Sequence, residues 1–132
     1  PDVDASLLQA MPLRFLSKDD ALTNGTIDTI IAELSVGPWL QRYRMADGFS
    51  EHRLAFTICA FWLVQALVAA GRVSEARERM HALLANQPPL GLLSEDLDPA
   101  TNALWGNHPQ AYSHVGLIHA AFAASPPWSE VA

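Results

Sequence analysis

The sequence predicts an all-α protein of about five helices arranged as antiparallel hairpins, and three observations carry that expectation. Leu54 to Ala70 (LAFTICAFWLVQALVAA) is interrupted only by Thr57 and Gln65, so it reads as a helix buried nearly all round. Ile27, Ile30, Ile31 and Leu34 recur at i, i+3, i+4 and i+7, the period of an amphipathic helix. No convincing strand pair appears anywhere in the chain.

Taken in order, Asp4 or Ser6 can cap a first helix through Leu7, Leu8 and Met11, which Pro12 bends before Leu13, Phe15 and Leu16. Ser17-Lys18-Asp19-Asp20 is a polar connector. The isoleucine-rich helix runs from about Thr26 and stops at Gly37-Pro38. Trp39 to Arg44 (WLQRYR) has no helical period, and Ala46-Asp47-Gly48 is a turn signal. In the plain reading Trp39 and Tyr43 pack on the core while Arg42 and Arg44 pair with surface acids. After the apolar helix, Gly71 ends it and Val73 or Ser74 starts another, with Ala76, Met80, Leu83 and Leu84 as its apolar stripe. So short a connection makes the two helices antiparallel. The hairpin ALVAAGRVSEAR has a tetratricopeptide-like look, but no second copy follows at a period of ~34 residues. A last helix is expected from Pro109 to about Ala124, capped by Asn107, with Val115, Ile118 and Phe122 inward, and Ser125-Pro126-Pro127 ends it.

At 132 residues the chain is one domain's worth of sequence, spanning 1–132. Hydrophobic residues make up 50% and charged residues 17%, so the chain folds and its surface should be unusually apolar, with something to cover it. A net charge of −6, from 14 acids against 8 bases, argues against nucleic acid as a partner. Arg72, Arg77 and Arg79 are only one turn of a helix. The apolar helix falls short of the ~20 residues that a bilayer needs and lacks an aromatic belt, so no membrane is expected. The single cysteine, Cys59, excludes an internal disulfide and cannot alone build a zinc site; buried in an apolar helix, it is a structural thiol in a reducing, cytoplasmic compartment. PDVDAS shows no basic region leading into an apolar stretch, so no signal peptide is expected in these residues.

The chemistry concentrates between Leu90 and His114 (LGLLSEDLDPATNALWGNHPQAYSH). Leu92 and Leu93 can anchor the segment, after which Glu95, Asp96 and Asp98 place three carboxylates within four positions. Such crowding is tolerable in solvent, or it serves a site that raises one carboxyl pKa and uses another as a base. Asp96 and Asp98 read as turn formers, their side chains bonding nearby backbone amides. Trp105 can stack on a sugar ring or cap the core beneath the loop. His108 and His114 lie six apart across a helix start without a third ligand, so no metal is expected, and no cofactor.

Gly91 to Ile118 (GLLSEDLDPATNALWGNHPQAYSHVGLI) resembles the C-terminal part of the catalytic domain of glycoside hydrolase family 15, the glucoamylase and trehalase-like enzymes. The resemblance extends over DASLLQAMPLRFL, YRMADG, AFTICAFWLVQALVAAGRVSEAR and PQAYSHVGLIHAA, in that order along the chain. It implies a sector of an (α/α) six-hairpin toroid and an inverting hydrolysis of an α-glucoside or oligosaccharide. In the family the glutamate of the SE[DEQ]xD segment is the catalytic base, which here matches Glu95. The tyrosine-arginine stretch of the family lies near the sugar, which puts Tyr43 and Arg44 beside Trp105, His108 and Gln110 as the candidate substrate-binding residues. The partner acid in that family lies on an earlier loop with no counterpart among these residues, leaving Asp47 and Glu51 as substitutes within the chain. The family's Gly-Gly-Glu-Gly-like run is replaced by Glu51-His52-Arg53-Leu54. Two expectations follow. The chain by itself is inactive, or it survives as a non-enzymatic helical interaction module. A helix apolar all round, with four companions, stays partly wet and calls for a second copy or an upstream catalytic half.

Overall fold

The computed structural model describes residues 2–45, 48 and 53–131. The turn residues Ala46 and Asp47, and Glu51 and His52 of the departing run, lie outside the described residues, so the two proposed substitute acids are not placed.

Asp4 caps the first element as expected, its Oδ1 accepting from the Ser6 amide at 2.7 Å, but Ala5–Ala10 winds as a 3-10 helix. Helix α1 (Ala21–Leu34) begins earlier than the isoleucine period suggests, because Asp20 of the polar connector accepts from the Leu22 amide at 2.9 Å and serves as the cap. Ile27, Ile30 and Leu34 are buried along it.

Gly37-Pro38 does more than stop α1. Strands β1 (Ser35–Val36) and β2 (Trp39–Leu40) pair antiparallel across it, Val36 opposite Trp39. Gly37 takes φ +60° at the first turn position and proline fixes the second, a combination that suits a two-residue hairpin. A second sheet joins β3 (Ala55–Phe56), β4 (Asp96–Leu97) and β5 (Leu104–Trp105) in that order, antiparallel throughout. These five strands correct the expectation that none would form. Each is two residues long, and two residues cannot display a period of two.

Helix α2 (Thr57–Ala69) therefore starts three residues later than expected, since Ala55 and Phe56 are strand. Nine of its residues are buried, against α3, α4, the first 3-10 segment and β2. The strip of Trp62, Gln65 and Ala69 is only half-buried, in line with the expectation that part of α2 stays wet. Helix α3 (Val73–Ala85) follows Gly71, whose φ is +81°, and runs back along α2 with Ala76, Met80 and Leu83 buried; Leu84 turns outward. No helix among the described residues is long and apolar enough to cross a membrane.

Helix α4 (Ala111–Ala124) reverses the expected orientation. Its inward residues are Ser113, Gly116, Ala120 and Ala124, whereas Val115, Ile118 and Phe122 are 48%, 51% and 79% exposed. The cause is the partner: α2 presents Ile58 and Phe61, and a Cβ on Gly116 would lie 2.8 Å from Ile58 Cγ1. Only a small-residue stripe can approach so bulky a helix.

The N-termini of α2 and α4 both meet the segment around Glu95, while at the far end Arg77 of α3 donates to the Ala124 carbonyl at 2.9 Å. Helices α2 and α4 thus run parallel, with α3 antiparallel to both. Two aligned helices joined through a reversed one form a sector of an (α/α) toroid, and the described chain is all-α apart from its five two-residue strands.

Candidate active site

Neither α2 nor α4 has a side-chain cap at its start. Carbonyls of the segment between Leu93 and Glu95 meet the donors there instead: Thr57 N donates to Glu95 O at 2.9 Å, Gln110 N to Leu93 O at 2.8 Å and Ser113 Oγ to Ser94 O at 2.9 Å. Leu93 and Ser94 are buried beneath them, and the Leu93 amide donates to His114 Nε2 at 3.1 Å. His114 thereby holds the loop rather than a metal. Among the described residues no three His, Cys, Asp or Glu side chains are grouped to bind one.

Glu95 leaves this anchored segment with its carboxylate clamped from one side. Oε2 accepts from Asn107 Nδ2 at 2.9 Å and from the Asn107 amide at 3.1 Å, and Glu95 N donates to Asn107 O at 2.9 Å. Asn107, expected as a helix cap, fixes Glu95 instead; Gln110 is the residue before α4, after a cis His108–Pro109 bond. Between the two partners, Gly106 takes φ +70°, and a Cβ there would sit 2.9 Å from Glu95 Oε2 and 3.2 Å from Asp96 Oδ2. Both carboxyls can close on the backbone only because the side chain is missing.

Asp96 is not a turn former. It occupies the central strand, opposite Phe56 on one side and Trp105 on the other, and its partners' side chains share its face of the sheet. The opposite face, Ala55 and Leu97, is core. Burial, followed by the neighbouring Glu95 charge, raises the Asp96 carboxyl to about 6. Asp98 does form the expected turn: its Oδ1 accepts from the Ala100 amide at 2.9 Å, which holds its pKa below the usual carboxylate value.

Tyr112, which the sequence did not single out, and Arg42, expected only as a surface ion pair, belong to these surroundings. Tyr112, on the first turn of α4, stacks obliquely on Phe56 with ring centroids 6.0 Å apart, and burial, then the charge of Glu95, push its phenol up to about 12. Arg42 is ion-paired to Asp4 at 2.8 Å, sits 5.9 Å from the Trp62 ring centroid, and lies within electrostatic reach of Tyr112 and Cys59. The register of the sheet is what reveals Tyr112, and a two-residue strand hides that from sequence reading.

Of the candidates, Glu95, Trp105, His108 and Gln110 come together on the one loop, with Trp105 and His108 exposed and Gln110 half-buried. Tyr43 forms an isolated bridge with Asp4. Arg44 points elsewhere: its Nε donates to Gln41 Oε1 at 2.7 Å, and it lines a groove with Asp2, Thr29 and Glu33. Arg42 therefore pairs with an acid as expected, whereas the partner of Arg44 among the described residues is the Gln41 side-chain amide. Cys59 is buried, and desolvation drives its thiol far above the range in which it reacts.

The raised Asp96 carboxyl has a consequence for stability. The folded state holds that proton more tightly than the unfolded chain, so its contribution is complete below the unfolded value of 3.8 and is lost as pH rises through about 6. The shift alone corresponds to roughly 3 kcal/mol, which half-exposure reduces to about 1 kcal/mol. Asp96→Asn is expected to be about 1 kcal/mol more stable than the parent at pH 7 and equal to it near pH 4. Urea unfolding at the two pH values checks this; equal stability at pH 7 would contradict it.

No protein-family model matches the chain. Trehalases do: that of Mycolicibacterium smegmatis is 42% identical over 121 residues, covering 89% of this chain and 18% of the trehalase, and that of Mycobacterium tuberculosis is 41% identical over the same shares. The trehalase of Thermoplasma volcanium is 36% identical over 91% of this chain and 19% of its own length. The chain thus spans about a fifth of the trehalases that it matches. Among solved structures, a wild-type glycosidase superposes with a TM-score of 0.77 at 23% identity over 94% of this chain and 36% of that one, and a glycosidase variant in complex with glucose does so equally well at 22% identity. The order of α2, α3 and α4 and the long matching segments in the trehalases agree, and the chain belongs to the trehalase-like glycoside hydrolases of family 15, of which it spans one segment.

Proposed function

We propose that the chain carries the general-base side of an inverting α-glucosidase site, with Glu95 as the base that activates water and trehalose as the first substrate to consider. The observation that carries this reading is the Glu95 carboxylate itself, fixed in direction by both amides of Asn107 on a loop tied to two helix N-termini. A base held in this way needs no reorganisation when its water arrives. The trehalase relatives support the substrate class. Trp105 and Gln110 stand close enough on the loop to contribute to sugar binding, with His108 between them. The single buried Cys59 fits a reducing, cytoplasmic setting.

An inverting pair of carboxyls stands ~6.5–9.5 Å apart to admit water. Glu95 Oε2 and Asp96 Oδ2 both bracket the Cβ position of Gly106, at 2.9 and 3.2 Å, which keeps them closer than that. Asp96 is therefore not the acid; Asp47 and Glu51 lie outside the described residues, and the proposal takes the general acid from further polypeptide, either the remainder of a longer enzyme or a second copy. The outward row Val115, Ile118 and Phe122 supports such a partner, because contiguous apolar surface on a soluble protein usually marks an interface. The same row favours the second reading, a helical interaction module that kept the fold without the chemistry.

Three measurements separate the readings. Saturation-transfer NMR with glucose, maltose and trehalose should show binding that Glu95→Gln and Trp105→Ala weaken; no transfer at millimolar sugar would favour the interaction module. Glucose release by the 132-residue chain should be at least ~10² below an enzymatic rate without the acid, and release abolished by Glu95→Gln would overturn that. Light scattering should report a species larger than 14.4 kDa; a monodisperse monomer would remove the second copy from the proposal.

A further inference from the structure

The register of the three-stranded sheet places one carboxyl in a row of aromatic rings. Phe56, Asp96 and Trp105 stand directly across from one another on β3, β4 and β5, on the face opposite the core residues Ala55 and Leu97. Paired residues on adjacent strands bring their Cβ atoms to about 4.5–5.5 Å, so the carboxyl of Asp96 and the Trp105 indole are side by side. Trp105 is 52% exposed, Asp96 is half-buried, and Tyr112 closes the far end against Phe56. Asp96 is spared by the turn chemistry that occupies Asp98, and it is too near Glu95 to act as its acid partner.

We infer that Asp96 and Trp105 form a sugar subsite in which the indole takes the apolar face of a pyranose and the Asp96 carboxyl accepts from one of its hydroxyls. The inference rests on the carbohydrate reading above and adds to it the residue that chooses among hydroxyl patterns. An indole face recognises the C–H side of any pyranose and discriminates little between them. A carboxyl beside it, partly withdrawn from water, rewards a hydroxyl at one ring position, since hydrogen bonds to charged groups in such surroundings are the strong ones. Removing that hydroxyl leaves a desolvated acceptor unmatched, which is the larger penalty.

The test is a titration of the 132-residue chain with methyl α-D-glucoside and its 2-, 3-, 4- and 6-deoxy analogues, read by the indole N–H shift of Trp105. One analogue should bind at least tenfold more weakly than the parent sugar, and in Asp96→Ala that same analogue should lose less than threefold relative to the parent sugar. Asp96→Asn, which keeps an acceptor, should fall between them, and it carries the test if the alanine variant does not fold by circular dichroism. If every analogue shows the same penalty in the variants as in the parent, Asp96 selects nothing and the inference fails while the carbohydrate reading stands. If the parent protein binds no sugar at all, the carbohydrate reading itself fails.

Discussion

Leucine in place of Gly116 lowers the melting temperature by up to about 9 °C, the largest stability loss expected from any single change on α4. The contact between α2 and α4 is set at this position, where even a methyl group would stand 2.8 Å from Ile58 Cγ1 and 3.4 Å from Phe61 Cβ. A whole leucine must either push α4 outward or force Ile58 off its rotamer, and overpacking of this kind costs about 1–3 kcal/mol. At this chain length each kcal/mol moves the midpoint by about 3–4 °C. Leucine's better helix propensity than glycine offsets only about 0.8 kcal/mol. Shortening Ile58 to alanine in the same molecule makes room, so the double variant should lose less than the sum of the two single changes. Phe122→Asp, melted at a dilution where the chain is monomeric, is the control: at 79% exposure it should then shift the midpoint by no more than about 2 °C. Thermal melts that rank Phe122→Asp as the more damaging change would mean that α4 faces the other way.

Valine at Gly106 removes sugar binding while leaving the helices folded. Its β-branched side chain must adopt φ +70°, a conformation that costs about 1–3 kcal/mol outside glycine, and its Cβ would meet Glu95 Oε2 at 2.9 Å. The cheapest relief is for the Glu95 carboxylate to swing away from Asn107, which dismantles the clamp seen at 2.9 and 3.1 Å. Affinity for glucose or trehalose should fall at least tenfold. Gly106→Ala should be milder, and Asn107→Ala should weaken binding without the backbone strain. Amide shifts confined to the segment between Ser94 and Gln110, together with a helical circular dichroism spectrum, separate a local change from unfolding. Undiminished sugar binding by Gly106→Val would show that the position of Glu95 does not matter to the ligand.

Much of the helical plan was legible in the chain. Gly71 between two helical patterns, the isoleucine spacing of α1 and the unbroken apolar run of α2 each depend on residues close in sequence, so periodicity and turn chemistry report them directly. The SEDLD segment announced a loop rich in carboxylates, and Asp98 forms the turn expected of its side chain. Side-chain roles within that loop were less legible. Asn107 was expected to cap α4 and instead holds Glu95, because the intervening residues carry it across to β4 rather than into the helix. Arg42 and Arg44 are equivalent in sequence, two positions apart, yet only Arg42 meets Asp4, a residue 38 positions earlier.

By itself the sequence determined where the helices lie, that α2 is the core helix, and which loop carries the acids, since each follows from composition and spacing within about twenty residues. The tertiary structure decided which face of α4 is inside and which carboxyl is perturbed. Hydrophobicity favours Val115, Ile118 and Phe122 for the interior, but the bulk of Ile58 and Phe61 leaves room only for Gly116, and Ala120 and Ala124 follow on the same face. Asp96 and Asp98 look alike along the chain. The sheet buries Asp96 between Phe56 and Trp105 and raises its pKa to about 6, whereas Asp98 remains in water with its own backbone for a partner. Sequence spacing fixes the period of an element, but steric fit between elements fixes which face is turned inward, and desolvation at that contact fixes the charge.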